Sequence, residues 1–594
     1  MVYLRKVLLF SERIVRINGD EKNTALKIIS KPKNGEMKMS HKPYLVKPGM
    51  ESCYEYLLNC HEKISADVGD YDAFVNVDCP TKISEMINDV EKLAAFLVKS
   101  GFKKGDVLTA FLPTSPHAFV IFYAFSKIGV ITDFVHPLTP PDALAEQLKL
   151  VKTKGIFILD RSAAKYEDVI KDYFTVICSV SDFTTGKIKE AVMADEAKCP
   201  AVPEGDNIHF FKDILAGDFG TVPTIKDPGK DPAIYLHGSG TTGKSKTVIL
   251  SSFALNSAAY GSYYYDVNMP FSNGGAYNLC ILPCFHSFGV STGIHYCSCV
   301  GIAGIIMPKF DAHKANDYIN RYKVQYISGA PSMFMKMMSE DNFKNDGLKN
   351  LVAMYSGGDI VSEQFLADFN KALAENGSKA NIFRGWGLTE MCGVCTTNNS
   401  EGHKPESIGR PLTGMVIKSI DEDGNDLPAG VNGELCVCND SIMNGYLPDG
   451  EVTESGIYTE KDGKQWIHTG DMGYVDEDGF VFFTGRKKRI IIISAYNIYP
   501  YTIEQKVMTL PFIDEACAVQ GYGDDKKPLV KLCVTLKDKT MSEDDAKAKI
   551  LEFCQNNLNS FSVPRKIVIM DAMPRTKMAK LDFLAMTDPL PEGC

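Results

Sequence analysis

Residues 234–252, IYLHGSGTTGKSKTVILSS, carry the densest chemical signal in the chain. Gly238 to Ser245 satisfies the nucleotide-binding pattern G-x-x-x-x-G-K-S, and Gly238, Gly240 and Gly243 also satisfy G-x-G-x-x-G. Both patterns answer one physical demand: glycines let backbone N–H groups converge on phosphate oxygens, and a lysine adds countercharge. The element after the loop separates these two patterns from a third possibility. A P-loop or a dinucleotide-binding turn opens straight into a helix, whose N-terminus forms part of the anion site. Here Lys246-Thr247-Val248-Ile249-Leu250 is rich in β-branched residues and favours a strand. Helical spacing resumes only at Phe253. A phosphate-binding loop between two strands fits this context better than either helix-opening motif.

Outward from the loop, the preceding chain alternates helix and strand. ISEMINDVEKLAAFLVK (83–99) has apolar residues at helical spacing, and VLTAFLP (107–113) reads as a strand. HAFVIFYAFSKIG (117–129) is a more buried helix, GVITDFVHP (129–137) a second strand, and LAEQLKLVKTKGIFILD (144–160) a third round. This alternation predicts layered α/β subdomains on largely parallel sheets. After residue 405 strand-like material dominates, and VIKSIDEDGNDL (416–427) and MGYVDEDGFVFFTGR (472–486) read as hairpins. A basic run, Arg486-Lys487-Lys488-Arg489, marks a boundary. The expected organisation is an N-terminal extension over 1–50, a large domain over 51–487 with a β-rich subdomain, and a small, mobile α+β domain over 488–594.

Composition narrows the classes. Of 594 residues 45% are hydrophobic and 23% charged, which excludes disordered and fibrous chains. Sixty-four basic against 74 acidic residues give a net charge of −10, which argues against nucleic acid as a partner. The start, MVYLRKVLLFSERIVRINGD, has no signal-peptide pattern, and no uncharged apolar run is long enough to span a membrane. Seventeen cysteines, an odd number, then read as reduced thiols in a cytoplasmic protein. Cys392 and Cys395 form a C-x-x-C with no second pair nearby, which disfavours zinc or redox duty. Cys297 with Cys299, and Cys436 with Cys438, read as strand or core cysteines. The acidic run 421–426 has Asp426 where a calcium loop needs glycine, so calcium is not expected.

Further segments join the loop in order: Phe285-His286-Ser287-Phe288-Gly289, Ser356-Gly357-Gly358-Asp359, Trp386-Gly387-Leu388-Thr389-Glu390, Ser407-Ile408-Gly409-Arg410-Pro411, Gly433-Glu434-Leu435, His468-Thr469-Gly470-Asp471, Thr484-Gly485-Arg486-Lys487-Lys488 and Pro574-Arg575-Thr576-Lys577-Met578-Ala579-Lys580. Together these resemble the adenylate-forming superfamily: acyl-CoA synthetases, adenylation domains of peptide synthetases, and luciferases. The loop there reads approximately T-S-G-T-T-G-K-P-K-G-V. This chain departs from it with Gly238 for Thr, Ser245 for Pro and Thr247 for Gly.

The resemblance implies a reaction in two halves. A carboxylate attacks the α-phosphorus of ATP to give an acyl adenylate and pyrophosphate, and a thiol then displaces AMP. Because an anion attacks a polyanion, catalysis must be chiefly charge neutralisation and positioning. By resemblance, Ser239, Gly240, Thr241, Thr242, Gly243, Lys244 and Lys246 would hold the β- and γ-phosphates. Glu390 would ligate Mg²⁺ and Thr389 would contact the α-phosphate. Asp471 would accept the ribose hydroxyls and Arg486 would add a charged donor. Trp386 and Gly387, with Gly358 and Asp359, would border the adenine. Lys580 would bridge the acyl carboxylate and the α-phosphate, Lys488 would be the hinge, and His286 would lie near the acyl carboxylate.

The implied substrates and cofactors are a small carboxylic acid, ATP, Mg²⁺ and a thiol, either coenzyme A or the phosphopantetheine arm of an acyl or peptidyl carrier protein. Ala495 and Ala579 replace family glycines, and the added methyl groups leave adenylation better supported than thioester formation. An acyl pocket is expected along 286–290, 328–331, 356–358 and 386–392, where small, aromatic and apolar residues suit an apolar acyl or aryl acid. Three rivals stand beside an acyl-CoA synthetase-like ligase: an enzyme that loads a carrier protein, a P-loop NTPase, and a non-catalytic nucleotide binder.

Overall fold

The structure, a computed structural model, describes residues 44–238, 246–265, 275–359, 361–447, 453, 456–460, 463–493, 496–523, 526–537, 540–575 and 581–589. Two large sheets dominate. In the first, strands Ile208–Phe210, Phe174–Cys178, Gly155–Leu159, Val107–Phe111, Ile131–Phe134 and Pro232–Gly238 run parallel in that spatial order. Strand Lys246–Ser251 then pairs antiparallel with Pro232–Gly238, and the short strand Gly445–Tyr446 closes the edge.

The second sheet has nine strands. Its parallel centre is Asp72–Asn76, Ala303–Ile306, Tyr277–Cys280, Tyr326–Gly329, Ala353–Ser356 and Ile382–Leu388. Strands Gly393–Thr397 and Arg410–Pro411 extend it antiparallel. Helix Pro116–Ile128 is buried at every position, as its all-round apolar sequence demands. Phe119 packs on Phe74 of the nine-stranded sheet and Phe125 on Phe157 of the other, so the helix belongs to a core shared by both sheets. Tyr44 and Leu45 are buried in the same core, and the Tyr44 hydroxyl donates to Asp67.

The β-rich region is a five-stranded sheet of Val416–Ile420, Gly433–Cys438, Ile457–Thr459, Gln465–Val475 and Val481–Arg486. The last two form the expected hairpin, with Asp471 opposite Arg486. The other predicted hairpin is reduced to a turn. A single bridge joins Ile420 to Asp426, while strand Val416–Ile420 takes its ladder from Gly433–Cys438. The Asp421 carboxylate accepts the backbone N–H groups of Asp423 and Asn425, so the acidic run is held by its own turn. Beyond Lys488 lie helices Pro500–Val507 and Glu543–Asn557. Strands Ile513–Tyr522, Pro528–Leu536 and Lys566–Ile569 form a three-stranded sheet beside them. This is the α+β arrangement expected at the C-terminal end.

The described cysteines are all free thiols, and most are buried. Cys297 and Cys299 lie in a helical turn, so the strand reading fails there; both are core residues. Among the described residues no helix is long and apolar enough to cross a membrane.

Candidate active site

The loop residues Ser239, Gly240, Thr241, Thr242, Gly243 and Lys244 lie outside the described residues, as do Ser494, Ala495, Ala579 and Lys580. The two strands that flank the loop form its stem. Gly238 and Lys246 face each other across an antiparallel ladder, and the segment after the loop is the strand Lys246–Ser251. The helix that a P-loop NTPase or a dinucleotide turn needs at this point is replaced by a strand. Both of those readings are thereby overturned, and the β-branched run is the reason.

Lys246 is the first residue of that strand, and its Nζ stands 4.3 Å from the centroid of the Tyr446 ring. Tyr446 arrives there because the edge strand Gly445–Tyr446 pairs with Val248 and Ile249. Its hydroxyl donates to Glu390 Oε1 at 2.7 Å. Glu390 sits in a helical turn, Thr389–Met391, at the end of strand Ile382–Leu388, and its backbone carbonyl accepts the Met443 N–H at 2.8 Å. The Ser287 hydroxyl lies 3.3 Å from Thr389 Oγ1 and ties this turn to the segment after His286. Lys246 and Glu390, expected to share the phosphates with Thr389, are thus joined through Tyr446, to which the sequence reading assigned no role, while Ser287, expected only along the acyl pocket, holds Thr389.

A second group includes Trp386, on the strand that leads into this turn. The Trp386 Nε1–H donates to Asp471 Oδ2 at 2.8 Å, and the Arg486 guanidinium stands 2.6 Å from Asp471 Oδ1. Asp471 is only 2% exposed, and burial pushes its carboxyl up to about 6. Arg486 and the Trp386 hydrogen bond oppose that rise, while the Glu390 and Glu434 carboxylates add to it. Backbone constraint keeps Trp386 and Glu390 in place. A Cβ on Gly387 would meet the Gly393 carbonyl oxygen at 1.7 Å, so only glycine lets these two strands close.

Gly358 and Asp359 follow strand Ala353–Ser356, with Gly358 at φ +82 and both residues exposed. Strands Ala353–Ser356 and Ile382–Leu388 are parallel neighbours, so this turn and the Trp386 turn emerge at one edge of the sheet, the carboxyl ends where α/β folds bind ligands. The His286 imidazole accepts the Phe288 N–H through Nδ1 at 3.3 Å, and its carbonyl accepts from Gly289 and Val290. It thereby opens a widened helix, Phe288–Tyr296. A narrow cavity lined by Thr114, Asn278, Cys280, Gly289, Gly293 and Ser328 meets the stretches expected for the acyl group only at Gly289 and Ser328.

Lys488 is the middle residue of an exposed turn, Lys487–Arg489. Lys487 Nζ bonds Glu434 of the β-rich sheet at 2.7 Å. Arg489 bonds Glu504 at 2.5 Å and the Ala518 carbonyl at 3.1 Å in the C-terminal region. The chain is therefore clamped on either side of Lys488 to different bodies. On the C-terminal side, Arg575 and Leu581 form a bridge that brackets the segment carrying Lys580.

The residues present fit a magnesium ion that travels with a nucleotide. Glu390 Oε1 is committed to Tyr446, leaving the second oxygen to a cation. Among the described residues no cluster of three or more His, Cys, Asp or Glu side chains could cage a metal. One carboxylate completed by phosphate oxygens and water is what Mg²⁺ accepts.

Residues 63–447 match the AMP-binding enzyme family, and residues 502–580 match the AMP-binding enzyme C-terminal domain. A long-chain-fatty-acid–CoA ligase of Bacillus subtilis is 29% identical over 84% of this chain and 88% of its own length. A 4-coumarate–CoA ligase of Humulus lupulus is 27% identical over 79% and 80%. Among solved structures, ATP-bound MatB from Rhodopseudomonas palustris superposes with a TM-score of 0.72 at 22% identity, covering 90% of this chain and 98% of its own. The o-succinylbenzoate CoA synthetase of Bacillus subtilis, bound to its acyl-adenylate, gives 0.71 at 20% identity over 91% and 98%. These two share the fold. On the match over residues 63–447, the chain belongs to the AMP-binding enzyme family.

Proposed function

We propose that this chain is an AMP-forming acid–CoA ligase that activates an apolar acyl or aryl acid as its adenylate and passes the acyl group to coenzyme A. The observation that supports the reading is that Lys246, Tyr446 and Glu390 are joined to one another, and that Trp386, Asp471 and Arg486 form a second bonded group whose Trp386 lies four residues before Glu390. The named relatives are CoA ligases of fatty and aryl acids, which favours coenzyme A over a carrier protein as acceptor. In our reading the domains divide at residues 50 and 487, the enzyme works in the cytoplasm, and it serves fatty or aryl acid metabolism.

Each side chain then has work that its chemistry explains. Asp471 accepts the ribose hydroxyls, with its carboxylate turned into place by Trp386 and Arg486. Lys246 and the loop donors 239–244 neutralise the terminal phosphates, and Tyr446 orients the Glu390 carboxylate. Bound Mg²⁺ supplies charge neutralisation on the phosphate oxygens beside Glu390. Thr389 contacts the α-phosphate, and the Gly358-Asp359 turn borders the adenine. His286 would lie near the acyl carboxylate. Lys580 would bridge the acyl carboxylate and the α-phosphate, where attack builds negative charge. Rotation about Lys488 would then exchange the Lys580 segment for the thiol's approach.

The test is direct. The purified chain is incubated with ATP, Mg²⁺, coenzyme A and a panel of short, long, aromatic and amino acids, and AMP and thioester are quantified by mass. AMP formed one-for-one with an acyl-CoA from one class of acid supports the reading. ADP and phosphate released without any acid contradict it.

A further inference from the structure

Beside the nucleotide loop lies a polar cluster that adenylation chemistry does not use. Asp133, on strand Ile131–Phe134, is fully buried. Its Oδ1 is 2.7 Å from His237 Nε2, and its Oδ2 accepts the Thr109 hydroxyl at 2.8 Å. His237 immediately precedes Gly238. Its Nδ1 is 3.0 Å from the hydroxyl of Thr247, a buried residue on the strand returning from the loop. The Gln147 side-chain amide, from helix Pro141–Leu150, lies 3.1 Å from the same nitrogen. His237 and Thr247 are partners across the ladder, next to the Gly238–Lys246 pair that ends it. With its Nε2–H given to Asp133, the imidazole accepts the Thr247 hydroxyl through Nδ1, and one hydrogen-bonded line crosses three adjacent strands.

This line is out of character with its surroundings. Ile131, Tyr235 and Ile249, two residues along each strand and so on the same face, are buried and cluster together, and a carboxylate there is held only at a desolvation cost that apolar neighbours would avoid. What the polar line supplies is direction. An apolar pair can slide or change rotamer, whereas the Asp133–His237–Thr247 bonds hold the two stem strands in one register and orientation. Thr247 is next to Lys246, and its carbonyl accepts the Leu447 N–H at 2.9 Å, which fixes the neighbouring Tyr446. Thr247 is also one of the loop's departures from the pattern it resembles, and its hydroxyl now has a partner.

We propose that Asp133, His237 and Thr247 are positioning residues, which lock the stem of the nucleotide loop and so place Lys246 and the Tyr446–Glu390 pair on the phosphates of ATP. The proposal rests on the ligase reading above, since it presumes ATP in this site. It requires that the cluster act on ATP and leave the acid site alone.

Three variants of the full-length chain test it. Asp133→Val with His237→Phe removes charge and partner together, so no buried charge is orphaned. Thr247→Val removes only the hydroxyl. His237→Gln keeps a side chain that can donate to Asp133 and accept from Thr247. Thermal midpoints, calorimetric ATP titrations, and the KM values for ATP and for the acid are measured on each. A stem displaced by a fraction of an ångström should raise the KM for ATP about fivefold to twentyfold in the double variant and about twofold to fivefold in Thr247→Val, with the KM for the acid unchanged. His237→Gln should recover most of the loss. A folded double variant, or Thr247→Val should the double variant not fold, that keeps the wild-type KM for ATP overturns the proposal. A wild-type chain that binds no ATP would instead sink the ligase reading, so the two failures are distinguishable.

Discussion

Asp471→Asn should make the protein more stable and a poorer enzyme. Asp471 is buried and its carboxyl is pushed up to about 6, against 3.8 for a free one. A group that holds its proton more tightly in the fold than in the unfolded chain stabilises most below about pH 4, and that contribution is lost as pH rises through about 6. At pH 7.5 keeping this carboxylate charged costs the fold about 3 kcal/mol; at pH 5 the cost is about half as large. Asparagine removes the charge yet still accepts the Trp386 N–H, and Arg486, 56% exposed, is left to water. The variant should therefore gain up to about 3 kcal/mol at pH 7.5, and the gain should halve at pH 5. ATP should suffer, because hydrogen bonds from ribose hydroxyls to a charged acceptor are worth about 1.5–3 kcal/mol, which raises the KM for ATP about 10- to 100-fold. Urea titrations at the two pH values and KM values for ATP read both quantities. A variant less stable than wild type at pH 7.5, or one with an unchanged KM for ATP, would refute the reasoning.

Single contacts carry the other expectations. Tyr446→Phe removes the hydroxyl that orients Glu390, so the Mg²⁺ concentration for half-maximal rate should rise about tenfold, as for partners that orient metal ligands; a magnesium titration of AMP release checks this. Gly387→Ala drives a methyl into the Gly393 carbonyl and should cost about 3 kcal/mol or more, read as a lowered thermal midpoint with activity lost in parallel. Lys488→Pro fixes φ at the middle of the clamped turn. Thioester formation should fall at least about tenfold while ATP–pyrophosphate exchange stays near wild type, and equal loss of both would remove Lys488 from hinge duty.

Strand Lys246–Ser251 was legible because Thr247, Val248 and Ile249 crowd their β-carbons, a local property that a window of sequence contains. The buried helix Pro116–Ile128 was legible from another local property, its all-round apolar sequence. Cys297 and Cys299 misled, since spacing of two mimics strand alternation, yet they end a widened helix whose geometry no local pattern announces. The site itself divides the same way. Trp386, Glu390, Asp471 and Arg486 stood out through resemblance. Tyr446 did not, because its contact with Glu390 spans 56 residues and depends on a two-residue edge strand. Asp133 and His237, 104 residues apart, meet only because two strands are neighbours in a parallel sheet.

The most direct test of the central claim is ATP–pyrophosphate exchange without any thiol, run across the acid panel with wild type and Lys580→Ala in parallel. Exchange should depend on one class of carboxylic acid and fall about 100-fold or more in the variant, with ATP still bound. Exchange that ignores the acid, or that survives in Lys580→Ala at the wild-type rate, would contradict adenylate formation by this site.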